Sequence, residues 1–533
     1  MSSAFRSWFS DPQRLLCLTA CLAAFVVQSG ELGSSDTMHR LQATHSFWTS
    51  EPAVFPDEYP EFGVHGRSGR LYGWFGMGQS LLMWPADLVG TGLERLPVFE
   101  DYNGNDPSVR NIVVSYSTNM LLSGLTALLS FRFLRQLRFT AKQATAGVLA
   151  LLFCTTHLHY TQNMMENNYI MLLTLAGLSF EYDWLRTGRR RSLLMGAGAF
   201  GLNLLTRLTA GIDLIVGGVF VVLVWWYERV PGQDLAKRLM SYLQTVAPVY
   251  LGFLLIDRAY QYYRFASFFH TYVWVVAQEY HKLNPALPPN YPWETPFHVG
   301  FLGPLLTPEK SIFLFDPLLV LTLAVAVRGW RNFAPEIKAY LAASVLLVFA
   351  YLSFYARYTV WSGDFAWGDR YVSTPVELAA FFSVPLWLRY RARLGTWLWR
   401  AGMALVAVSA MVQAASLAFW LPLEIYQMET LGHPTFVIAL RFKNILAFAL
   451  GRMERWGLTN YAMSQDPWDY VHITTWNFLP FVLRRVGEAP AWVVHTVCAV
   501  WVAALIALGL ILRQLRRVLL AEDPKASCAL PDA

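Results

Sequence analysis

Lysine and arginine occupy every second gap between the apolar stretches of this chain, and that alternation limits its fold more than any other feature. The apolar stretches lie near residues 15–30, 110–131, 143–159, 169–184, 193–206, 210–227, 240–257, 311–328, 338–355, 372–388, 401–420 and 491–512. The basic clusters lie near residues 132–142, 186–191, 229–238, 328–331, 389–400 and 513–517. Because Lys and Arg resist translocation, all these clusters are expected to face the cytoplasm. The pattern predicts an all-α, polytopic integral membrane protein with about 12 transmembrane helices and both termini cytoplasmic.

The composition supports a membrane protein independently of the pattern. Hydrophobic residues make up 55% of the chain, charged residues only 15%, and the mean hydropathy is +0.35. These values are too apolar for a soluble chain of 533 residues. The net charge of +6 is therefore interpreted as a determinant of membrane orientation, and no nucleic-acid partner is expected.

Three connections are longer than ordinary loops, and the predicted topology places all three outside the cytoplasm. They cover about 31–108, 258–310 and 421–490. We divide the chain into a transmembrane core, 1–420, which includes the first two connections, then the outer loop 421–490, and a last helix with its tail, 491–533. Aromatic and glycine-rich segments predict interfacial helices on the outer surface. Ser34 or Ser35 is expected to cap a short helix that begins near Asp36.

Two acids at the predicted outer surface are the first candidate catalytic residues. Asp36 follows the first apolar stretch, and Glu166 lies between the third and fourth. An ionisable group at this depth is costly unless it is paired or used. An acid in the first turn of a helix also stabilises the helix dipole, so a purely structural role for Asp36 stays open. Paired carboxylates suit proton abstraction from an acceptor, or retention of a divalent cation such as Mg²⁺ or Mn²⁺.

A third group of candidates lies in the short segment RYTVWSGDFAWGDRYVSTP, between the ninth and tenth apolar stretches. Guanidinium groups match phosphate oxygens in planar geometry, and aromatic rings stack on sugars or lipids. Arginine at the outer end of the fifth stretch has the same potential, although snorkelling of its side chain to the interface is the alternative. The candidate substrate-binding residues are Arg370, Arg207, Asp369, Trp361, Tyr371 and Arg357.

An ordered set of motifs resembles a known enzyme class. After an Asp beyond the first apolar stretch come GRLYGWFGMGQSLLMWPADLVG, RLTAG at 207–211, YYRFASF at 262–268, LLTPEKSIFLFDPLL and WSGDFAWGDRY. Between about residues 14 and 390 the order is similar to that of the GT-C superfamily of membrane glycosyltransferases. More narrowly, it resembles bacterial relatives of the dolichyl-phosphate-mannose protein mannosyltransferases. One departure is that Asp36 is followed by Thr37, where many of those mannosyltransferases carry a second acid.

The resemblance implies a hexosyl- or pentosyltransferase of the cell envelope, acting on the outer face of the inner membrane. The donor would be a polyprenyl-phosphate-linked sugar, and the acceptor a protein, lipid or glycan. Asp36 would be the base and Glu166 the second acid, with Arg370 and Arg207 on the carrier phosphate and Trp361 and Tyr371 lining the site. Two other functions stay open, a lipid or glycan transporter or flippase, and a non-catalytic subunit of the same fold.

Overall fold

The computed structural model describes residues 10–55, 62–102, 107–228, 234–364, 366–420, 422–429, 431–453, 475–486 and 489–526. Much of the predicted outer loop 421–490, namely residues 454–474, lies outside these ranges. Within them the only sheet is an antiparallel pair, β1 (Val64–His65) and β2 (Leu71–Tyr72), in which Val64 pairs with Tyr72. All other regular structure in these ranges is helical.

The helices follow one another closely along the chain. The first half contains α1 (Pro12–Val27), α2 (Ser35–His45), α3 (Gly78–Glu94), α4 (Val109–Gln136), α5 (Ala141–Cys154), α6 (His157–Gln162), α7 (Asn167–Thr187), α8 (Arg190–Thr206), α9 (Gly211–Glu228) and α10 (Leu235–Phe265). The second half contains α11 (Tyr272–Leu283), α12 (Phe297–Leu306), α13 (Ile312–Phe315), α14 (Leu318–Gly329), α15 (Pro335–Tyr355), α16 (Ser373–Phe381), α17 (Ser383–Arg389), α18 (Arg391–Ser416), α19 (Pro422–Glu429), α20 (Val437–Ala449), α21 (Leu479–Val486) and α22 (Ala491–Ala526).

Every apolar stretch identified in the sequence is helical over most of its length. Within the described ranges, six helices are long and apolar enough by themselves to cross a membrane. They are α4, α9 with the short 3₁₀ turn before it, α10, α15, α18 and α22. Shorter apolar helices include α1, α5 and α12. The prediction of an all-α, polytopic membrane protein is confirmed.

Proline and glycine interrupt the helices at two places, one within the predicted span 372–388 and one just before the span 401–420. The stretch 372–388 divides into α16 and α17, with Pro385 near the start of the second helix. A proline ring clashes with the carbonyl four residues earlier, here that of Phe381, so the first helix ends there. Helix α18 is kinked at Gly395, whose φ of 75° and ψ of 161° are not helical. Only glycine adopts such a backbone readily.

The main core lies where α4, α5, α7, α9 and α14 to α17 meet. Tyr340 of α15 stacks on Phe382, with ring centroids 3.9 Å apart, and Phe133 of α4 packs beside both rings. All three side chains are fully buried. On the other side of the core, Phe200 of α8 packs against Gly177 and Gly217, where an added methyl group would overlap its ring. Small residues let these helix backbones approach closely.

Basic residues from separate predicted cytoplasmic connections meet at one end of the bundle. Arg186 pairs with Glu228 at 2.7 Å, and Arg389 donates to the backbone carbonyl of Arg138 at 2.7 Å. Arg132 lies 3.5 Å from Asp183. These contacts join the ends of four helices, α4, α7, α9 and α17, that the alternation of charge assigns to the same side of the membrane. The packing is therefore consistent with the predicted parity of the spans.

The corner between α1 and α2 depends on Gly33. Its φ is +77°, and an added Cβ would lie 2.6 Å from the Cα of Asn163. The corner directs α2 back across the end of the bundle, and Ser34 caps that helix by accepting a hydrogen bond from the Thr37 amide. Of the two predicted caps, Ser34 is therefore the one used.

Replacing Gly33 with alanine is expected to destabilise the fold by about 1–3 kcal/mol, because the methyl group meets backbone atoms and the φ is strained. The measurement is thermal unfolding of the purified protein in detergent. Gly198 of α8 is the matched control, since nothing lies within 4 Å of an added Cβ there. Alanine at this helical position should be neutral or stabilising by up to about 1 kcal/mol. Equal unfolding temperatures for the two variants would contradict the account of the corner.

Candidate functional site

A cavity of about 340 Å³ lies at the end of the bundle opposite the basic clusters. Segments far apart in sequence supply its walls, namely the predicted outer connections after the first, third, fifth, seventh and ninth apolar stretches. Five of the predicted site residues line it, and they are Asp36, Glu166, Arg207, Arg370 and Tyr371. The predicted outer face therefore converges on one enclosed space.

Asp36 reaches the cavity from the first turn of α2 and is only partly buried. Its Oδ2 accepts a hydrogen bond of 2.7 Å from Nη1 of Arg370. The neighbouring Thr37 is fully buried, and its hydroxyl donates to the backbone carbonyl of Met164. Thr37 therefore ties α2 to the segment that carries Glu166.

Glu166 lies at the start of α7 and is held by two guanidinium groups. Arg40 Nη1 lies 2.8 Å from Oε2, and Arg207 Nη2 bonds Oε1. The side chains of Glu166 and Arg40 are only 5% and 7% exposed. Burial acts to raise the pKa of Glu166, but the charges of Arg40, Arg207 and Arg370 outweigh it and hold that pKa well below the ordinary value. Glu166 is thus an anion at neutral pH that orients Arg40 and Arg207.

The segment before Arg370 is fastened by a buried lysine. Lys310 Nζ donates to the carbonyls of Asp364 at 2.5 Å, Ala366 at 3.0 Å and Gly368 at 3.2 Å. Burial lowers the pKa of Lys310 to about 8 and raises the pKa of Asp369 to about 7. The loop is therefore shaped by an ammonium group that binds its backbone.

Asn167 fixes the other side of the same loop. Its side-chain amide donates to the carbonyl of Arg370 and to the hydroxyl of Ser373, both at 2.7 Å. Asn167 directly follows Glu166. The start of α7 therefore positions both the Glu166 carboxylate and the backbone of Arg370.

Aromatic rings form much of the remaining wall. Tyr371 stacks on Tyr355 with centroids 4.3 Å apart, and the guanidinium carbons of Arg207 and Arg370 each lie 5.3 Å from the centre of its ring. Further aromatic lining residues are Trp74, Phe75, Tyr272, Tyr280, Tyr291, Trp293, Phe354 and Tyr358. Such a wall suits flat contacts with a sugar ring or an isoprenoid chain.

Three predicted site residues are not among those lining this cavity. Trp361 packs on Gly303 of α12, where an added Cβ would lie 2.2 Å from its ring. Asp369 is buried beneath the loop and accepts a hydrogen bond from the Tyr371 amide at 3.0 Å. Arg357 borders a second, more open groove of about 460 Å³. That groove shares Trp293 and Phe354 with the cavity, so the two spaces adjoin.

The carboxylates of the cavity do not fit the divalent cation that the sequence left open. Asp36 is paired with Arg370, and Glu166 with Arg40 and Arg207. A cation between them would face three guanidinium groups. Among the described residues no group of three or more His, Cys, Asp or Glu side chains is placed to hold a metal ion. Three arginines and three acids line the cavity, but Asp364 is exposed at the rim, so the two inner acids stand among three guanidinium groups.

Sequence reasoning missed two of the important cations. Arg40 lies four residues after Asp36, and this spacing places both residues on one face of a helix. The spacing was the sequence signal that could have identified Arg40. Lys310 gave no such signal, because its partners are backbone carbonyls of a distant loop. The aromatic residues of α11 and the following loop were visible only as part of an amphipathic surface segment.

Comparisons with known proteins leave the family unassigned. No protein-family model matches the sequence, and a search of curated proteins finds no match. Among solved structures, the chain is similar to ArnT from Cupriavidus metallidurans, whose crystal structure was determined with bound undecaprenyl phosphate. The similarity covers 97% of this chain and 78% of ArnT, at 12% sequence identity and a TM-score of 0.43. No activity or ligand of this chain follows from so distant a likeness.

Replacing Glu166 with glutamine is expected to destabilise the protein by about 3–5 kcal/mol, because two buried guanidiniums lose their counter-ion. The wild type should also lose stability in acid. The low pKa of folded Glu166 stabilises the native state fully above the ordinary value of 4.5, and this contribution is lost as the pH falls below it. Thermal unfolding between neutral and acidic pH measures both effects.

The matched control is Glu100→Gln, which removes an exposed carboxylate. It should unfold like the wild type at every pH, whereas Glu166→Gln should show a weaker dependence on acid. Identical pH profiles for the wild type and Glu166→Gln would contradict the assigned role of the ion cluster.

Proposed function

We propose that this chain is a GT-C-type membrane glycosyltransferase that moves a sugar from a polyprenyl-phosphate carrier to an acceptor on the extracytoplasmic face. The observation that carries the proposal is the partly exposed carboxylate of Asp36, 2.7 Å from Arg370, in a cavity with two further arginines. This arrangement offers a base beside an anion site. Glycosyl transfer from a lipid phosphate requires both, since a hydroxyl loses a proton while a phosphate leaves.

The proposed reaction uses only side chains of this chain. Asp36 accepts the proton of the acceptor hydroxyl, and the hydroxyl oxygen forms a bond to the anomeric carbon. The bond between that carbon and the phosphate oxygen breaks, and its electron pair leaves with the polyprenyl phosphate. Arg370 and Arg207 stabilise the charge that develops on the phosphate. No nucleotide takes part, so no nucleotide-binding domain is needed.

In this proposal Glu166 does not exchange protons with the substrates. Two guanidiniums bind its oxygens and hold its pKa far below neutral, so its role is to orient Arg40 and Arg207. Preorganised charges of this kind stabilise a transition state without reorganisation during the reaction. Asp369 has a supporting role under the loop and does not touch the substrate.

We assign the adjoining groove to the apolar chain of the carrier. Phe297 and Phe354, two of its lining residues, are 48% and 42% exposed on α12 and α15. Apolar side chains at the lipid-facing surface suit an isoprenoid, and Arg357 at the groove margin suits the headgroup region. Trp361 supports this region by packing against α12.

The proposed location is the inner membrane, with a multi-pass topology, both termini cytoplasmic and the site outside. It rests on the charge alternation and on the separation of the basic clusters from the cavity. The core that carries the site is 1–420, followed by the outer loop 421–490 and the final helix and tail, 491–533. A protein, a lipid or a glycan would serve as acceptor.

Asp36→Asn is expected to lower sugar transfer by about 10²–10⁴-fold, because the proton acceptor is lost. Arg370→Ala should lower it by about 10²–10³-fold, because the leaving phosphate loses a donor. The measurement is transfer of radiolabelled sugar from a panel of polyprenyl-phosphate donors in membranes that contain each variant.

Two controls accompany this assay. Arg67→Ala removes an exposed arginine from the same first outer connection and should leave transfer unchanged. Size-exclusion elution and unfolding temperature show that each variant is inserted and folded. Wild-type transfer no higher than that of empty membranes across the whole panel would reject the proposal and favour a transporter or a subunit without catalysis. Full activity in folded Asp36→Asn would reject the base.

A further inference from the structure

A second group of polar side chains, three of them ionisable, lies in the helical core, apart from the cavity. Thr156 and His157 lie where α5 ends and α6 begins, Asp316 lies between α13 and α14, and Glu377 lies in α16. All four are at most 2% exposed. Two acids buried this deeply in a membrane protein are costly unless they are paired, protonated or used.

One threonine joins the two acids. Its amide donates to Asp316 Oδ1 at 2.8 Å, and its hydroxyl oxygen lies 3.0 Å from Asp316 Oδ2 and 2.9 Å from Glu377 Oε1. The two carboxyl groups therefore both meet Thr156 Oγ1 at hydrogen-bond distance.

The number of hydrogen atoms available at Thr156 Oγ1 indicates whether Asp316 and Glu377 are both ionised. A hydroxyl donates one hydrogen, and an ionised carboxylate only accepts. If both acids were ionised, one of the two contacts would bring two oxygens together without a hydrogen, in a buried site of low dielectric. Both contacts are hydrogen bonds if one acid is protonated and donates to the threonine oxygen.

In the part of the chain that the structure describes, no fixed positive charge is paired with the two carboxylates. Among the described residues neither Asp316 nor Glu377 has an ion pair with Lys or Arg, and the ionisable groups facing them are His157 and Tyr160, both on α6. Tyr160 donates to the Trp367 carbonyl at 3.2 Å. His157 Nδ1 lies 3.8 Å from Glu377 Oε2, and both atoms, like His157 Nε2, have no hydrogen-bond partner within the described part of the chain. The imidazole thus adds an unpartnered, fully buried proton acceptor directed at the pair.

We propose that Asp316, Thr156 and Glu377 form an intramembrane proton-binding site, in which one proton is shared by the two acids through the threonine and His157 is the adjacent acceptor. The proton fastens α16 to two helix junctions. Helix α16 leads out of the Arg370 loop, since the Ser373 hydroxyl donates to the Arg370 carbonyl at 3.2 Å. The site thus supports the floor of the cavity, and its existence does not depend on the proposed glycosyl transfer.

Infrared spectroscopy of the purified wild type near neutral pH tests the proposal without an activity assay. A protonated carboxyl group has a C=O stretching band apart from those of carboxylates, and the band shifts on exchange into D₂O. The difference between wild type and Glu377→Gln should contain this band. Asp316→Asn should give the same loss and serves if the first variant does not fold. Asp183→Asn, which removes a carboxylate near Arg132, is the control and should leave the band unchanged.

The bridging hydroxyl is tested separately. Thr156→Ser keeps the oxygen and should keep the frequency of the band, whereas Thr156→Val removes it at nearly constant volume and should shift the band. A wild type without a carboxyl band that depends on Asp316 and Glu377 would overturn the proposal, because both acids would then be ionised. A band unchanged in Thr156→Val would overturn the sharing through threonine.

Discussion

The ion cluster centred on Glu166 is the constraint on which the cavity depends. One buried carboxylate binds an arginine from α2 and another from the end of α8, and so holds three chain segments at one point. Arg40 and Arg207 stay directed at the cavity because their counter-ion, Glu166, is buried beside them. Arg370 adds a third positive group and is itself paired with Asp36. Away from the rim, where Asp364 is exposed, three arginines therefore surround two acids, and the protein holds this arrangement before any ligand enters.

Charge and hydropathy alone were sufficient for much of the fold. Lys and Arg in alternate gaps indicated which helix ends belong together, and contacts such as that between Arg389 and Arg138 join ends that the pattern grouped. The pattern could not locate the break at Phe382, since a proline in a span leaves the apolar character unchanged. It also could not separate α6 from α5, since their junction lies inside one apolar stretch and Thr156 there bonds Asp316, which is distant in sequence.

The candidate site was predictable at positions near the membrane, where a charged side chain is costly unless it is paired or used. Asp36, Glu166, Arg207 and Arg370 are charged groups at the ends of apolar stretches, and all four line one cavity. Trp361 and Arg357 belong to the same sequence segment as Arg370, but the turn containing Gly363, at φ 76°, directs neighbouring residues to different places. Proximity in sequence was therefore a poor guide within that loop. Whether each residue binds substrate stays a prediction.

Thr37 shows how one buried donor restricts what can replace it. The hydroxyl of this fully buried residue donates to the Met164 carbonyl, and so the position is a donor site facing an acceptor. A carboxylate there would place a second acceptor against the carbonyl with no hydrogen between them. In this backbone an ionised acid at position 37 would meet that carbonyl unless its side chain or the segment near residue 164 moved, so the two features are expected to change together during divergence. Sequences intermediate between the two arrangements should be rare, and a search of relatives should find position 37 and the segment near residue 164 varying in concert.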